Sequence, residues 1–299
     1  MDKKQKWKRQ IPLHLMILPA LIILIIFCYI PMFGIVIAFQ NYFPILGISG
    51  SPFVGLNNFR FMFQLPETMS VLSNTLSIAI QKIVFGFTVP IIVSLLLNEV
   101  RKNYIRSTIQ TFIYLPYFFS WVILAGILVD ILSLNGIINN FMSLFGIDSV
   151  FFLGSNTWFQ PVIVISDIWK NFGFGTVVYL AAIVSISPTL YESARIDGAN
   201  RWKQAIHITL PGMLPIIILL ATLSLGNVLN AGFEQIFNLY NPAVYRTGDI
   251  IDTFVFRLGL VDMRFGLATA VGLMRSVVSL LLISTSYFLA YKFADYRIF

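Results

Sequence analysis

Six runs of predominantly apolar residues, 13–39, 71–97, 109–133, 160–186, 211–231 and 265–291, decide what this chain can fold into. Each matches the roughly 20 residues that a helix needs to cross the hydrocarbon of a bilayer. Of the 299 residues, 58% are hydrophobic and only 11% are charged, against about 25% charged in a soluble domain. That leaves too little polar surface to cover the apolar residues in water. The expected fold class is an all-α integral membrane protein with six transmembrane helices.

Orientation follows from the placement of Lys and Arg in short loops. With a cytoplasmic N-terminus, thirteen of the twenty fall inside: Lys3, Lys4, Lys6, Lys8, Arg9, Arg101, Lys102, Arg106, Arg195, Arg201, Lys203, Lys292 and Arg297. Arg60, Arg246, Arg257 and Arg264 fall outside, and Lys82, Lys170 and Arg275 lie within spans. Both termini are therefore expected in the cytoplasm. The net charge of +7 reports this topology and implies no nucleic-acid partner. The N-terminal run is too long for the apolar core of a signal peptide and has no small-residue cleavage site, so it reads as an uncleaved helix.

Several chemistries lack their residues. Cys28 is the one cysteine, so neither an internal disulfide framework nor a cysteine metal site can be built. His14 and His207 stand far apart, and Gly-Lys never occurs, which removes the phosphate-cradling loop of ATPases. The outer loops, "NYFPILGISGSPFVGLNNF" and "LFGIDSVFFLGSNTWF", are rich in aromatics, Gly and Asn. Tyr42, Phe53 and Trp158 suit anchoring at the lipid interface; an extracellular partner surface is the alternative.

One charged stretch, "YESARIDGANRWKQAIHITLPGMLP", interrupts the apolar pattern between the fourth and fifth runs. Ser187-Pro188 predicts a helix start, with Ser able to cap and Pro fitted to the first helical position. Asp197-Gly198 predicts a turn, after which a second short helix runs to Leu210-Pro211. Arg201 and Lys203 would suit an anionic lipid surface. The small residues Ala194, Gly198 and Ala199 instead favour close docking of a cytoplasmic protein, with Glu192 as a pairing carboxylate.

The stretch resembles the EAA loop of binding-protein-dependent ABC importer permeases, whose pattern is E-A-A, three residues, G, nine residues, I-x-L-P. Glu192-Ser193-Ala194, Gly198 and Ile208-Thr209-Leu210-Pro211 keep every spacing, with Ser193 replacing the middle alanine. Further segments, among them "YIPMFGIVIAFQNY", "LLLNEVR", "YLPYFFSWVILAGI" and "GNVLNAGFEQIFNLYNPAVY", are similar to polysaccharide and oligosaccharide permeases of the maltose-transporter superfamily. The resemblance implies the type I importer fold. It divides the chain into a cytoplasmic tail (1–12), a first helix (13–39), an extracellular loop (40–70), a five-helix ABC transmembrane domain (71–291) holding the coupling loop 187–211, and a tail (292–299). It further implies a second homologous permease, an ABC ATPase dimer that binds ATP and magnesium, and an extracellular solute-binding lipoprotein. This chain would itself hold no cofactor or metal and catalyse nothing. Glu192, Ser193, Ala194, Asp197, Gly198, Ala199, Ile208, Leu210 and Pro211 would couple it to the ATPase in a multi-pass protein of the bacterial cell membrane.

For the substrate path, intramembrane charges default to paired or functional roles. Asp167 and Lys170 are three apart, share one helix face and are expected to pair. Lys82 and Arg275 are candidates to bridge helices, and Arg275 to line the path. Asn171, Asn227, Asn230, Glu234 and Gln235 could hydrogen-bond sugar hydroxyls, and Trp121, Trp169 and Phe172 could stack on sugar rings. Three other readings stay open: the same fold importing a non-sugar solute, a membrane-embedded transferase of lipid-linked sugars using Asp249 and Asp252, and a self-sufficient channel. An EAA loop disfavours the channel.

Overall fold

The computed structural model describes residues 3–225 and 228–294. Among these there is no strand, only an isolated bridge between Gln40 and Phe53. In chain order the main helices are α1 (Lys3–Leu24), α2 (Asn57–Gln64), α3 (Pro66–Glu99), α4 (Asn103–Tyr114), α5 (Trp121–Leu132), α6 (Ile137–Ser143), α7 (Phe159–Val184), α8 (Pro188–Ile196), α9 (Leu210–Leu225), α10 (Phe233–Leu239), α11 (Ile251–Phe256) and α12 (Phe265–Ala294). Residues 295–299, in the expected C-terminal tail, lie outside the described residues, as do Met1 and Asp2.

Among the described residues, five helices are long and apolar enough to cross a membrane: Ile11–Phe39, Pro66–Glu99, Trp121–Ser143, Arg201–Ser224 and Phe265–Thr285. A sixth candidate is α7 with α8, which bend by 70° at the break between them. Besides α9 ending at Leu225, short of the expected 231, two expected boundaries move. Residues 109–133 do not form one helix: after α4 a 3₁₀ turn runs through Leu115–Phe118, and Phe119 and Ser120 are extended. Pro116 has no N–H to donate back into α4, and Ser120 restarts the helix by accepting from the Ile123 N–H.

The second difference lies at Leu210-Pro211, where the coupling stretch was expected to end its helix. The backbone instead passes through a π turn, Ala205–Thr209, straight into α9. The Leu210 N–H bonds back to the Ala205 carbonyl, and the wider turn carries the helix past a proline. The fifth span is thus continuous with the second half of the loop.

The chain forms two compact units, Met1–Leu65 with Val255–Met274, and Pro66–Phe254 with Arg275–Phe299. In the first, the side chains from Ile11 to Phe33 are exposed, as lipid-facing side chains would be. Asn58 Nδ2 donates to Ala38 O and Gln40 O, both at 2.9 Å, and fixes the turn that follows this span. In the second unit, Ile78, Ala125, Phe159, Ile163, Ile236 and Val244 pack α3, α5, α7 and α10 together. A second cluster, Leu97, Tyr179, Ile183 and Met213, joins α3, α7 and α9. A Cβ on Gly173 would lie 2.0 Å from Ile113 O, so α7 approaches α4 as closely as only glycine permits.

Candidate coupling loop and transport cavity

The 188–211 segment is a bent elbow built by local hydrogen bonding. Pro188 takes the first position of α8, as expected, but the Ser187 hydroxyl does not cap it and pairs with Thr189 Oγ1 at 2.8 Å. The helix ends in a Schellman motif: Gly198 N–H reaches Arg195 O at 3.1 Å and Ala199 N–H reaches Ala194 O at 2.8 Å. Gly198 sits at φ +75°, a conformation that other residues adopt at a penalty. Asn200 Oδ1 then accepts from Lys203 N–H at 2.9 Å and starts the next helix.

Two contacts close the elbow on itself and a third ties it to α3. Tyr191 OH meets Thr209 Oγ1 at 3.0 Å, Gln204 Nε2 donates to Ala199 O at 2.8 Å, and Arg201 pairs with Glu99 at the end of α3 at 2.6 Å. Glu192, Ser193, Asp197 and Gly198 are exposed, while Ala194 and Ala199 are half-buried. Ile196 (87% exposed) and Trp202 (73%) present apolar surface on the same elbow. A cleft of about 1110 Å³ lies beside it, lined by Glu192, Arg195, Ala199 and Trp202 together with Glu99 and Arg101. Ser193, Ala194, Asp197 and Gly198 do not line that cleft, and neither do Ile208, Leu210 and Pro211, which belong to the π turn and the start of α9.

The intramembrane charges pair otherwise than expected. Asp167 does not pair with Lys170; its partner is Lys82 on α3, at 3.2 Å. Lys170 Nζ turns to the carbonyl of Phe119 and lies 5.0 Å from the ring centre of Trp121. The break in the third apolar run explains the switch. It frees a backbone carbonyl beside α7, and in apolar surroundings that carbonyl needs a donor.

Lys82 is a hub. Its ammonium donates to Ala231 O at 2.7 Å and to Gln235 Oε1, besides contacting Asp167. Gln235 is fully buried, and its amide nitrogen donates to Ile163 O and Ser166 Oγ. It ties α10 to α7 and is not free to bind a sugar hydroxyl. Lys82, Asp167, Ser224, Asn230 and Gly232 line a cavity of about 420 Å³. Of the residues expected to line the path, Asp167 and Asn230 therefore come together. Asn171, Glu234 and Arg275 do not reach this cavity, and Asn227 lies outside the described residues.

Arg275 bridges instead, pairing with Asp252 and donating to Leu229 O at 3.2 Å. Burial pushes the Asp252 carboxyl up, against the downward pull of Arg275. Asp249 accepts from the Thr253 hydroxyl at 2.6 Å and its carbonyl accepts from Asn74. Each carboxylate thus has a structural partner, Thr253 for Asp249 and Arg275 for Asp252. Lys82 bridges helices, as its charge within a span suggested, whereas its partners and the locking role of Gln235 escape the sequence.

Residues 86–298 match the family described as binding-protein-dependent transport system inner membrane component. The chain is 41% identical to the polygalacturonan/rhamnogalacturonan transport system permease protein YteP of Bacillus subtilis (strain 168), over 99% of this chain and 95% of that protein. It is equally similar, at 41%, to Protein LplB of the same organism, over 99% and 92%. Among solved structures, a chain of a bacterial ABC transporter involved in the import of the acidic polysaccharide alginate superposes with a TM-score of 0.89 at 41% identity, covering 97% of this chain and 98% of that one. The helical architecture is thus the expected type I importer fold. With its apolar spans, the chain is a multi-pass membrane permease and belongs to the binding-protein-dependent transport system inner membrane component family.

Proposed function

We propose that this chain is the permease subunit of an ATP-driven importer of oligosaccharides cut from acidic polysaccharides. The observation that carries the reading is the exposed elbow at 188–211: a glycine-turned loop with Glu192, Ile196 and Trp202 outward, continuous with a spanning helix. Such a loop passes a push from a docked protein directly into α9. The similar alginate transporter has also been crystallised with an alginate pentasaccharide-bound periplasmic protein, at a TM-score of 0.88 and 41% identity.

In this reading the termini and the elbow face the cytoplasm. Two copies of an ATPase, holding ATP and magnesium, seat the elbow of this chain and that of a second, homologous permease. Glu192, Ser193, Ala194, Asp197, Gly198 and Ala199 form the docking surface, and Ile208, Leu210 and Pro211 join it to the span. ATP-driven closure of the ATPases rocks the spans, and hydrolysis resets them. An extracellular solute-binding lipoprotein delivers the oligosaccharide, which passes Asp167 and Asn230.

The test is a mild-detergent purification of the tagged chain from its native membrane, with mass spectrometry of the co-purifying proteins. The complex is then assayed for ATPase stimulation by acidic and neutral oligosaccharides. A second permease, an ATPase and stimulation by acidic oligosaccharides are expected. Recovery of the chain without an ATPase would overturn the coupling role.

A further inference from the structure

Lys82 and Asp167 form the one ion pair seen between α3 and α7 among the described residues, and its two halves are held very differently. The ammonium is 10% exposed and has two further acceptors, Ala231 O at 2.7 Å and Gln235 Oε1. Gln235 is itself locked by Ile163 O and Ser166 Oγ. Gly232, at φ +92°, lets the backbone pass so close that a Cβ there would lie 2.8 Å from Nζ. The ammonium is therefore fixed in place. Asp167 makes the longest of its contacts, 3.2 Å, and is 22% exposed on the wall of the 420 Å³ cavity.

A pair built this way can exchange one partner. The carboxylate can swing back to the cavity water, whereas the ammonium stays where its other acceptors hold it. Left without a counter-charge at such low exposure, the ammonium would attract any carboxylate able to enter the cavity. We propose that Lys82 is the residue selecting acidic sugars: the carboxylate of a uronate residue displaces Asp167 from Lys82 during passage, and Asp167 re-forms the pair once the sugar moves on. Ser224 and Asn230, on the same wall, accompany the sugar hydroxyls. Asp167 is then an internal competitor that keeps Lys82 neutralised between substrates and stops an acidic sugar from being trapped there. The inference rests on the importer reading above and assigns it a selecting residue.

The two roles of Asp167, competitor or structural prop, give opposite results in one measurement. The complete transporter is reconstituted in vesicles, and uptake and stimulated ATPase are measured with an acidic and a neutral oligosaccharide of equal length. In Asp167→Asn, Lys82 keeps its place but loses its competitor. KM for the acidic oligosaccharide should fall about tenfold relative to that for the neutral one, with a lower kcat for the acidic one as release slows. The double variant Lys82→Met/Asp167→Asn leaves no buried unpaired charge. It should lose the preference for the acidic oligosaccharide, with the KM values of the two sugars converging. A rise of KM for both sugars alike in Asp167→Asn, or an unchanged preference in the double variant, would overturn the selecting role. If the wild-type transporter takes up neither sugar, the substrate reading fails and this inference falls with it.

Discussion

Tyr191 and Thr209 meet across the elbow, phenol to hydroxyl at 3.0 Å, and so join α8 to the π turn at the base of the fifth span. Thr209 is buried and also reaches Gln204 O at 3.4 Å, so it keeps a partner when the phenol is removed. Tyr191→Phe should therefore weaken the elbow by about 1 kcal/mol, the size of one neutral hydrogen bond. The expected result is unaltered assembly with a reduced ratio of transport to ATP hydrolysis. Equal ratios in variant and wild type would show that the elbow transmits motion without this link.

Gly198 gives a cleaner test, because no atom lies within 4 Å of where its Cβ would be. Within this chain any penalty must come from φ +75° alone. Gly198→Val should strain the Schellman turn by about 1–2 kcal/mol and depress substrate-stimulated ATPase. Gly198→Asn, which tolerates left-handed geometry, should stay near wild type. If Gly198→Trp kept full coupling, the docking assignment would fail, since a bulky group would then sit harmlessly on the proposed contact face.

What the sequence made legible was whatever depends on local chemistry. Apolar runs located the spans because lipid demands continuous apolar surface, and Pro188 and Gly198 marked the elbow because each allows only certain backbone angles. The break at Phe119-Ser120 was hidden: an apolar run reads alike whether its helix is whole or interrupted, and Pro116 alone is compatible with a mere kink. The passage through Pro211 was hidden for the opposite reason, since a π turn leaves no residue signature. Asp167 illustrates the limit most clearly. Its neighbour at i+3, Lys170, was the only partner visible along the chain, whereas Lys82 lies 85 positions away and meets it only when α3 packs on α7.

Gly173 and Gly126 are both interior helix glycines with opposite surroundings. A Cβ on Gly173 would collide with the backbone carbonyl of Ile113 at 2.0 Å, whereas nothing lies within 4 Å of one on Gly126. Gly173→Ala should force α7 away from α4 and cost about 1–3 kcal/mol or more, because a backbone atom cannot rotate aside. Gly126→Ala should be neutral or stabilising by up to about 1 kcal/mol. Thermal stability of the two variants in the same detergent complex decides the matter, and similar melting temperatures would contradict the close approach.

Arg275 and Asp252 form a charge pair joining α12 to α11, with side-chain exposures of 30% and 18%. Removing the cation alone strands a carboxylate that burial already disfavours. Arg275→Met should then cost about 2–3 kcal/mol, somewhat below the value for a fully buried pair because both groups retain some water. Adding Asp252→Asn removes the stranded charge and should restore most of that loss. The remainder, about 1 kcal/mol, is the lost bond from the guanidinium to Leu229 O. Unfolding of wild type, both single variants and the double variant closes a thermodynamic cycle. A coupling term near zero would mean that Arg275 stabilises the protein through packing and the Leu229 carbonyl, and that Asp252 is held by water.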